Sequence, residues 1–183
     1  MGIVAPVLPE GALWRRPLLS TFVSVGNATQ PFDRLLNAVC KNANCMPVPI
    51  VIQFGNTTFN CDGTECRGFV AMDEFERLVE EAGLVVMHAG AGSVIHAVRA
   101  GKVPVVMPRR ARYGEHVDDH QLEFARHLAR IGLVALAEEP ENLPAAVESA
   151  SGLQVARQAR SQPAVMLELV GEALRKYAAR GNA

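Results

Sequence analysis

The sequence predicts an α/β fold with a parallel sheet covered by helices on both faces. Short apolar or β-branched runs alternate at least five times with segments of helical periodicity along the 183 residues. Such alternation is typical of parallel strands joined by right-handed crossovers. Hydrophobic residues make up 49% of the chain, enough for a core on both sides of the sheet. The length favours one domain, and we expect residues 20–183 to form it after an irregular lead-in, residues 1–19, with several prolines.

Six segments are predicted to be strands, because they combine β-branched or aromatic residues with flanking turn residues. The first is Thr21-Phe22-Val23-Ser24-Val25, which ends at Gly26-Asn27. The others follow in order at residues 49–54, 67–70, 84–87, 103–107 and 133–136.

Helices are predicted between these strands, where apolar residues recur three or four positions apart. The first begins near Pro31, the next is capped by Asp73, and a third runs from about Val94 to Ala100. Later helices follow Gln121, run from Pro140 to about Ser149, and begin at Pro163. The last carries Met166, Val170, Ala173 and Tyr177 in heptad-like spacing, and we expect it to pack on its own sheet or on a partner.

Charge and composition exclude several classes of function. The formal net charge of −1 does not favour nucleic-acid binding, and no apolar run approaches a membrane span of about 20 residues. The N-terminus is a poor signal peptide, so we expect a cytoplasmic protein. The cysteines form two pairs with four intervening residues, which is looser than common zinc spacing. Buried or incidental thiols are therefore favoured over a structural metal for Cys40, Cys45, Cys61 and Cys66.

The stretch from Leu84 to Gly101 is the most informative one. An apolar strand leads into a turn of small residues, 88–93, and then into a helix. Glycines at 90 and 92 leave backbone N–H groups open to a ligand, and a helix N-terminus favours negative charge. Ser93 can offer a hydroxyl or cap the helix. The alternative is a tight strand-to-helix connection without a ligand, since the turn has neither a P-loop lysine nor the GxGxxG spacing.

A charged loop, residues 109–121, is the second informative stretch. Arg109 follows a strand end and suits a phosphate, whereas carboxylate, imidazole and amide groups suit sugar hydroxyls. The alternative is a solvated loop with Asp118 or Asp119 as a helix cap. Because ligands bind outside the carboxyl ends of parallel strands, this loop, the 88–93 turn, Gly26-Asn27 and Phe69-Val70 should share one edge.

Two histidines flank the small-residue turn. His88 ends a strand and is interpreted as a core histidine rather than a catalytic base. His96 lies about one helical turn after Ser93 and could face the same ligand. Ser/His/Asp hydrolysis is not expected, because Ser93 does not lie in a G-x-S-x-G elbow.

Taken together, these segments resemble the C-terminal, donor-binding half of GT-B glycosyltransferases. The resemblance is strongest to the stand-alone subunit of two-component UDP-sugar transferases, which act on dolichol-linked sugars or bacterial exopolysaccharides. The residues that carry it are 22–26 with Phe32-Asp33-Arg34-Leu35, Gly68-Phe69-Val70, His88-Ala89-Gly90-Ala91-Gly92-Ser93, and residues 114–121.

The resemblance implies a single Rossmann-like GT-B half-domain that binds a UDP-sugar as donor, with no cofactor and no metal. The diphosphate would contact the small-residue turn, the Val70 backbone would contact uracil, and His120 and Gln121 would contact the sugar. His96 departs from the family, whose glutamate at this position often holds the ribose. The expected binding set is Gly26, Asn27, Val70, His88, Gly90, Ala91, Gly92, Ser93, His96, Arg109, Asp119, His120 and Gln121.

The resemblance also implies a partner. No residue is assigned as general base, so a membrane-anchored subunit would bind the lipid-linked acceptor and recruit this chain to the inner face of the membrane. The transferred group would be a hexose or N-acetylhexosamine in polysaccharide biosynthesis. Two alternatives stay open: a non-catalytic enhancer of such a transferase, and a sugar-nucleotide epimerase-like fragment.

Overall fold

A computed structural model describes residues 20–160, with side chains up to residue 157. The expected lead-in, residues 1–19, and the expected helix from Pro163 lie outside the described residues. Six parallel strands form one sheet in the order β3-β2-β1-β4-β5-β6. The strands are β1 (Thr21–Ser24), β2 (Ile50–Gln53), β3 (Glu65–Arg67), β4 (Leu84–His88), β5 (Val105–Met107) and β6 (Ala135–Leu136).

Five α-helices cover the sheet within the described residues. They are α1 (Asp33–Lys41), α2 (Met72–Glu81), α3 (Ala91–Arg99), α4 (His120–Arg130) and α5 (Leu143–Arg160), and short 3₁₀ turns lie at Ala43–Cys45, Ala111–Tyr113 and Pro140–Asn142. None of the helices in residues 20–160 has an apolar stretch long enough to cross a membrane.

The core divides into two layers, one on each face of the sheet. Successive strand residues point to opposite faces, so Val86 packs with α1 and α5 whereas Val85 packs with α2, α3 and α4. Both layers are apolar and buried, which explains why the strands are nearly continuous hydrophobic runs. The predicted α/β sheet with helices on both faces is confirmed.

Several element boundaries differ from the predictions. The third strand lies at Glu65–Arg67 rather than 67–70, because it is a half-exposed edge strand whose residues carry no apolar signal. Ala71, not Asp73, occupies the N-cap of α2, and the Asp73 carboxylate accepts a hydrogen bond from the Glu74 N–H. After Pro140 the chain makes a 3₁₀ turn, and α5 then continues to Arg160, well past Ser149.

Two cysteines form a disulfide, which the sequence did not predict. Cys40 in the last turn of α1 and Cys61 in the loop after β2 are bonded, with their Cα atoms 6.0 Å apart. They belong to different pairs of the sequence pattern, so local spacing gave no sign of the contact. Cys45 is an exposed free thiol and Cys66 is a partly buried one.

Candidate functional site

The turns that follow four strands meet at one edge of the sheet. The strand order reverses at β1, whose neighbours are β2 and β4, and the crevice at such a reversal is where ligands bind in open parallel sheets. The predicted site residues lie at the end of β4, in the turns after β1, β3, β4 and β5, or in the first turns of α3 and α4, except His96, which lies farther along α3.

A buried polar network holds two of these turns in place. The Ser24 hydroxyl donates to Gln53 Oε1 over 2.7 Å, and both side chains are buried. Gln53 Nε2 donates to the carbonyl oxygens of Gly26 and Gly68, at 3.1 and 3.3 Å. Because buried amides are costly to leave unpaired, this network fixes the turn after β1 against the turn after β3.

The imidazole of His88 lies between two glycines. A Cβ added to Gly26 would fall 2.4 Å from its Cε1, and one added to Gly90 would fall 2.2 Å from its Nε2. Gly26 also has a positive φ of +74°, which a side chain disfavours. The glycine at position 90 therefore makes room for the histidine, a requirement that the sequence did not indicate.

His88 is neutral at physiological pH. Burial lowers its pKa to about 4, and the positive charge of Arg109 adds to this effect. Its Nδ1 atom is buried and has no hydrogen-bond partner among the described residues. The ring is thus a neutral, partly buried group beside the start of α3, as expected for a core histidine.

Helix α3 begins at Ala91, three residues earlier than predicted. Gly90 is its N-cap and has no side chain with which to accept a capping hydrogen bond. Ala91, Gly92 and Ser93 form the first turn. Their N–H groups have no acceptor within the helix. Ser93 is therefore not the cap, and its hydroxyl makes no hydrogen bond with the described residues.

The surface at Gly92 is open. Apart from its chain neighbours and the backbone of α3 itself, no atom of the described residues lies within 4 Å of the place that a Cβ on Gly92 would occupy. Glycine destabilises a helix by about 1 kcal/mol relative to alanine, and no packing contact requires a glycine at this position. Three unpaired donors thus lie in a helix N-terminal turn that contains the exposed Gly92, an arrangement that suits an anion.

Val70 lies in the connection between β3 and α2. Its side chain is partly buried against the apolar layer of α2 and α3. Neither its N–H nor its C=O makes a hydrogen bond within the described part of the chain, whereas the neighbouring Gly68 carbonyl accepts from the Gly55 N–H. Val70 therefore offers a backbone donor and acceptor at the same edge.

Arg109 does not present its charge to a ligand, which corrects the expectation of a phosphate contact. Its side chain is only 1% exposed. The guanidinium donates to the carbonyl oxygens of Val25, Gln30, Pro31 and Glu115, at 2.8 to 3.3 Å, and lies over the Phe32 ring. Burial lowers its pKa to about 10, so it stays charged and ties the turn after β1 to the loop after β5.

An ion pair that the sequence did not reveal supports the same loop. Arg34 on α1 donates from Nε and Nη2 to the two carboxylate oxygens of Glu115, at 2.9 and 2.8 Å. Glu115 also accepts from the Arg110 N–H at 3.0 Å; its side chain is buried, and that of Arg34 is only 11% exposed. Glu115 therefore shapes the loop rather than facing sugar hydroxyls; the pairing spans 81 residues and leaves no local signal.

Three predicted site residues, among them both predicted sugar contacts, lie at the start of α4, with Asp119 at the N-cap. The Asp119 carboxylate accepts from the Ala111 N–H at 2.9 Å. Gln121 Oε1 accepts from the Arg109 N–H at 3.1 Å, and its Nε2 makes no hydrogen bond among the described residues. His120 is exposed and contacts Asp118 through Nδ1. All three are brought to the edge occupied by the α3 N-terminus.

The remaining two predicted residues differ in their surroundings. Asn27 is exposed and makes no hydrogen bond with the described residues. The His96 ring packs edge-on against Phe75, and its Nδ1 lies 3.4 Å from the Glu76 carboxylate on α2. His96 is therefore already engaged with α2 on one side of its ring.

Comparison with known families bears on this arrangement. Residues 20–166 match the glycosyltransferase family 28 C-terminal domain. The chain belongs to this family. The match includes every strand, every site residue and the two helices whose first turns carry predicted site residues.

Two relatives are named as transferase subunits. The chain is 41% identical over 115 residues to the UDP-N-acetylglucosamine transferase subunit ALG13 of Yarrowia lipolytica, covering 56% of this chain and 57% of that protein. It is 28% identical over 165 residues to the protein of the same name from Eremothecium gossypii, covering 69% of this chain and 79% of that protein.

The chain thus spans little more than half of the Yarrowia relative, and it covers 10% of the matching mouse and human proteins. Among solved structures, it is similar to the calicheamicin glycosyltransferase CalG4, with a TM-score of 0.57 and 19% identity. That match covers 98% of this chain and 47% of the other, so the shared fold is a GT-B half-domain.

Proposed function

We propose that the chain is the donor-binding subunit of a UDP-sugar-dependent glycosyltransferase. The observation that carries the proposal is the first turn of α3, where three unpaired N–H groups lie beside the exposed Gly92. A diphosphate bound there accepts hydrogen bonds from Ala91, Gly92 and Ser93, and the helix dipole adds to the attraction. The Ser93 hydroxyl is a fourth donor.

The rest of the donor follows from the positions of the neighbouring turns. The Val70 backbone offers one donor and one acceptor to uracil, as the family resemblance implies. Gln121 Nε2, Asp119 and His120 border the sugar, and Gly26 and Asn27 border the diphosphate beside His88. Arg109 acts through the loop that it holds rather than by contact. His96, held by Glu76, has its Nε2 left for a ribose hydroxyl.

The chemistry is positioning and stabilisation of the leaving group. An acceptor hydroxyl attacks the anomeric carbon, the bond from that carbon to the diphosphate breaks, and UDP leaves with the electron pair. The α3 N–H groups stabilise the charge that grows on the diphosphate. A partner subunit provides the acceptor and the base that takes its proton.

We infer that this partner is membrane-anchored and presents a lipid-linked acceptor, so that the chain works at the cytoplasmic face of a membrane. Support for a partner comes from the relatives, which are named subunits of a UDP-N-acetylglucosamine transferase, whereas the membrane anchor and the lipid-linked acceptor follow from the family resemblance. The donor is a UDP-hexose or UDP-N-acetylhexosamine, used in polysaccharide synthesis.

The test removes one N–H group without disturbing the fold. Ala91 is the first residue of α3, where proline is favoured, and Gly90 before it is extended (φ −71°, ψ 128°), which a following proline requires. Ala91→Pro should therefore fold normally yet bind UDP and UDP-N-acetylglucosamine about 10- to 100-fold more weakly by calorimetry, the equivalent of one hydrogen bond to a charged group. Ala91→Gly keeps the N–H group and should bind within a few-fold of the parent.

Two outcomes would contradict the proposal. Equal affinity of Ala91→Pro and the parent chain would mean that the diphosphate does not contact this turn. Absence of any UDP-sugar binding, combined with full transferase activity of the partner alone, would instead favour the non-catalytic enhancer. The engagement of His96 with Glu76 is the observation that keeps this second candidate open.

A further inference from the structure

Three side chains at the junction of the loop after β5 and α4 bring metal-ligating atoms together. One ligand atom from each of His116, Asp118 and His120 lies within 4.8 Å of the other two. His116 Nδ1 is 3.3 Å from Asp118 Oδ1, and His120 Nδ1 contacts the same oxygen. The two rings are perpendicular, with centroids 4.9 Å apart. Two imidazole nitrogens therefore converge on one carboxylate.

This spacing is close to that of a tetrahedral metal site. Ligand bonds of about 2.0–2.1 Å place neighbouring ligand atoms about 3.3 Å apart. The separation of His116 and Asp118 already has this value. The side chain of His120 is 45% exposed and contacts the same Asp118 oxygen, so the third ligand lies at the surface beside the other two.

The backbone that carries the three ligands is anchored. The Asp119 carboxylate accepts from the Ala111 N–H, and Glu115 is held by Arg34 and by the Arg110 N–H. The ligands alternate along a five-residue segment, His116-Val117-Asp118-Asp119-His120, whose ends are fixed by these contacts. A cation would therefore find the ligands on a prepared frame.

We propose that His116, Asp118 and His120 bind a divalent transition-metal cation of the Zn²⁺ type. Two imidazole nitrogens with one carboxylate suit Zn²⁺, Co²⁺ or Ni²⁺, whereas Mg²⁺ and Ca²⁺ prefer oxygen ligands throughout. Three protein ligands leave a fourth position for water or another small ligand. The inference does not rest on the proposed function, although His120 is also a proposed sugar contact.

The test uses Co²⁺ as a spectroscopic probe and no nucleotide. The untagged chain with Cys45→Ser, which removes the exposed free thiol, is titrated with Co²⁺ and then with Zn²⁺. We expect visible absorption of four-coordinate Co²⁺ that saturates at one ion per chain and disappears when Zn²⁺ displaces it. Asp118→Asn and His116→Ala should each weaken binding at least about tenfold, the smallest effect typical of altered metal sites.

His127→Ala is the matched control, because His127 lies on the same helix, α4, outside the cluster. It should leave the titration unchanged. Unchanged Co²⁺ binding in Asp118→Asn, or equal weakening in His127→Ala, would overturn the proposal and indicate adventitious binding to surface histidines. Melting temperatures of the metal-free variants separate ligand loss from unfolding. As a second readout, Zn²⁺ should shift the backbone NMR signals of residues 114–121 and leave those of α1 in place.

Discussion

At the scale of single residues, the centre of the site is a histidine that needs two glycines. The His88 ring occupies the space that side chains at Gly26 and Gly90 would fill. The sequence showed a glycine-containing turn and favoured a ligand as its cause. The structure shows a second reason for glycine at position 90, which is room for the His88 ring. At position 92, packing does not explain why the residue is a glycine.

Gly26→Ala tests this packing. The new Cβ would lie 2.4 Å from the imidazole at a residue with φ of +74°. We expect a loss of about 1–2 kcal/mol from the positive φ alone, and a further loss from the clash. Gly63→Ala is the matched control, since Gly63 has φ of +76° and no atom within 4 Å of the added Cβ. Urea unfolding should show a clearly larger loss for Gly26→Ala; equal losses would mean that the His88 ring moves aside freely.

The acid stability of the protein should depend on His88. Its pKa is lowered from 6.5 to about 4 on folding, so between these values the unfolded chain holds a proton that the folded chain lacks. Stability is therefore complete above about pH 6.5 and falls as the pH drops toward 4. The full effect is about 3 kcal/mol, at about 1.4 kcal/mol for each unit of pKa.

Urea unfolding at a series of pH values measures this effect. His88→Asn should reduce the slope of stability against pH between 4 and 6.5, whatever its effect on stability at pH 7. His127→Ala, which removes a histidine far along α4, should leave the slope close to that of the parent. A slope that persists in His88→Asn would show that another group takes up the proton.

At the scale of elements, the loop after β5 is held by a buried ion pair with α1. Arg34 meets both carboxylate oxygens of Glu115, and the same carboxylate accepts from the Arg110 N–H. The loop that carries Asp119 and leads to Gln121 is thus fixed by a residue far away in sequence. The proposed donor contacts on α4 would therefore depend on this pair, although neither Arg34 nor Glu115 is one of them.

Glu115→Gln should therefore cost both stability and binding. Removing the Glu115 charge leaves Arg34 with only the more distant Glu139 carboxylate, at 3.6 Å, and we expect a loss of about 3 kcal/mol in the free energy of unfolding. Glu138→Gln is the control, because Glu138 pairs with Arg126 at the surface, where ion pairs contribute little. UDP-sugar affinity should fall in Glu115→Gln and stay unchanged in Glu138→Gln. Equal stability of the two variants would show that the Arg34 pair is not a structural anchor.

The sequence could predict those features of the fold that depend on local interactions. Strands β1, β2, β4 and β5 are buried on both faces, so their composition alone identified them. Edge strand β3 is polar, and the sequence predicted it to begin at a later residue than it does. The start of α3 was also predicted too late, because Gly90, Ala91 and Gly92 look like a turn in the sequence, whereas Gly90 is the N-cap and Ala91 the first residue of the helix.

The same distinction explains the site. The turns at the carboxyl edge could be located, since topology fixes which ends meet. The burial of Arg109 and the Cys40–Cys61 bond could not, because each depends on partners from distant segments. Arginine after a strand suits a phosphate and suits a cluster of carbonyl oxygens equally well, and the sequence does not distinguish the two.

At the scale of the whole molecule, the two edges of the sheet differ. The carboxyl edge carries the unpaired N–H groups of α3, the free backbone of Val70 and the Nε2 atom of Gln121. The opposite edge is closed by packing and caps: Lys102 is buried and donates to the Ala82 carbonyl, and Arg157 on α5 donates to the Lys102 carbonyl. A donor that contacts four turns at the carboxyl edge should therefore protect the backbone amides of that edge alone.

Hydrogen exchange with and without UDP-N-acetylglucosamine tests this asymmetry. Donor at about 100 times its dissociation constant adds about 2.7 kcal/mol to the stability of the folded state. Beyond this uniform gain, we expect extra protection at residues 26–27, 69–70, 90–93 and 119–121, and none at 46–49 or 101–104. Ser93→Ala and Gln121→Ala should reduce the extra protection while their melting temperatures without donor stay near that of the parent. Protection centred on the opposite edge, or losses of melting temperature that match the losses of binding, would mean that these residues are structural and that the donor binds elsewhere.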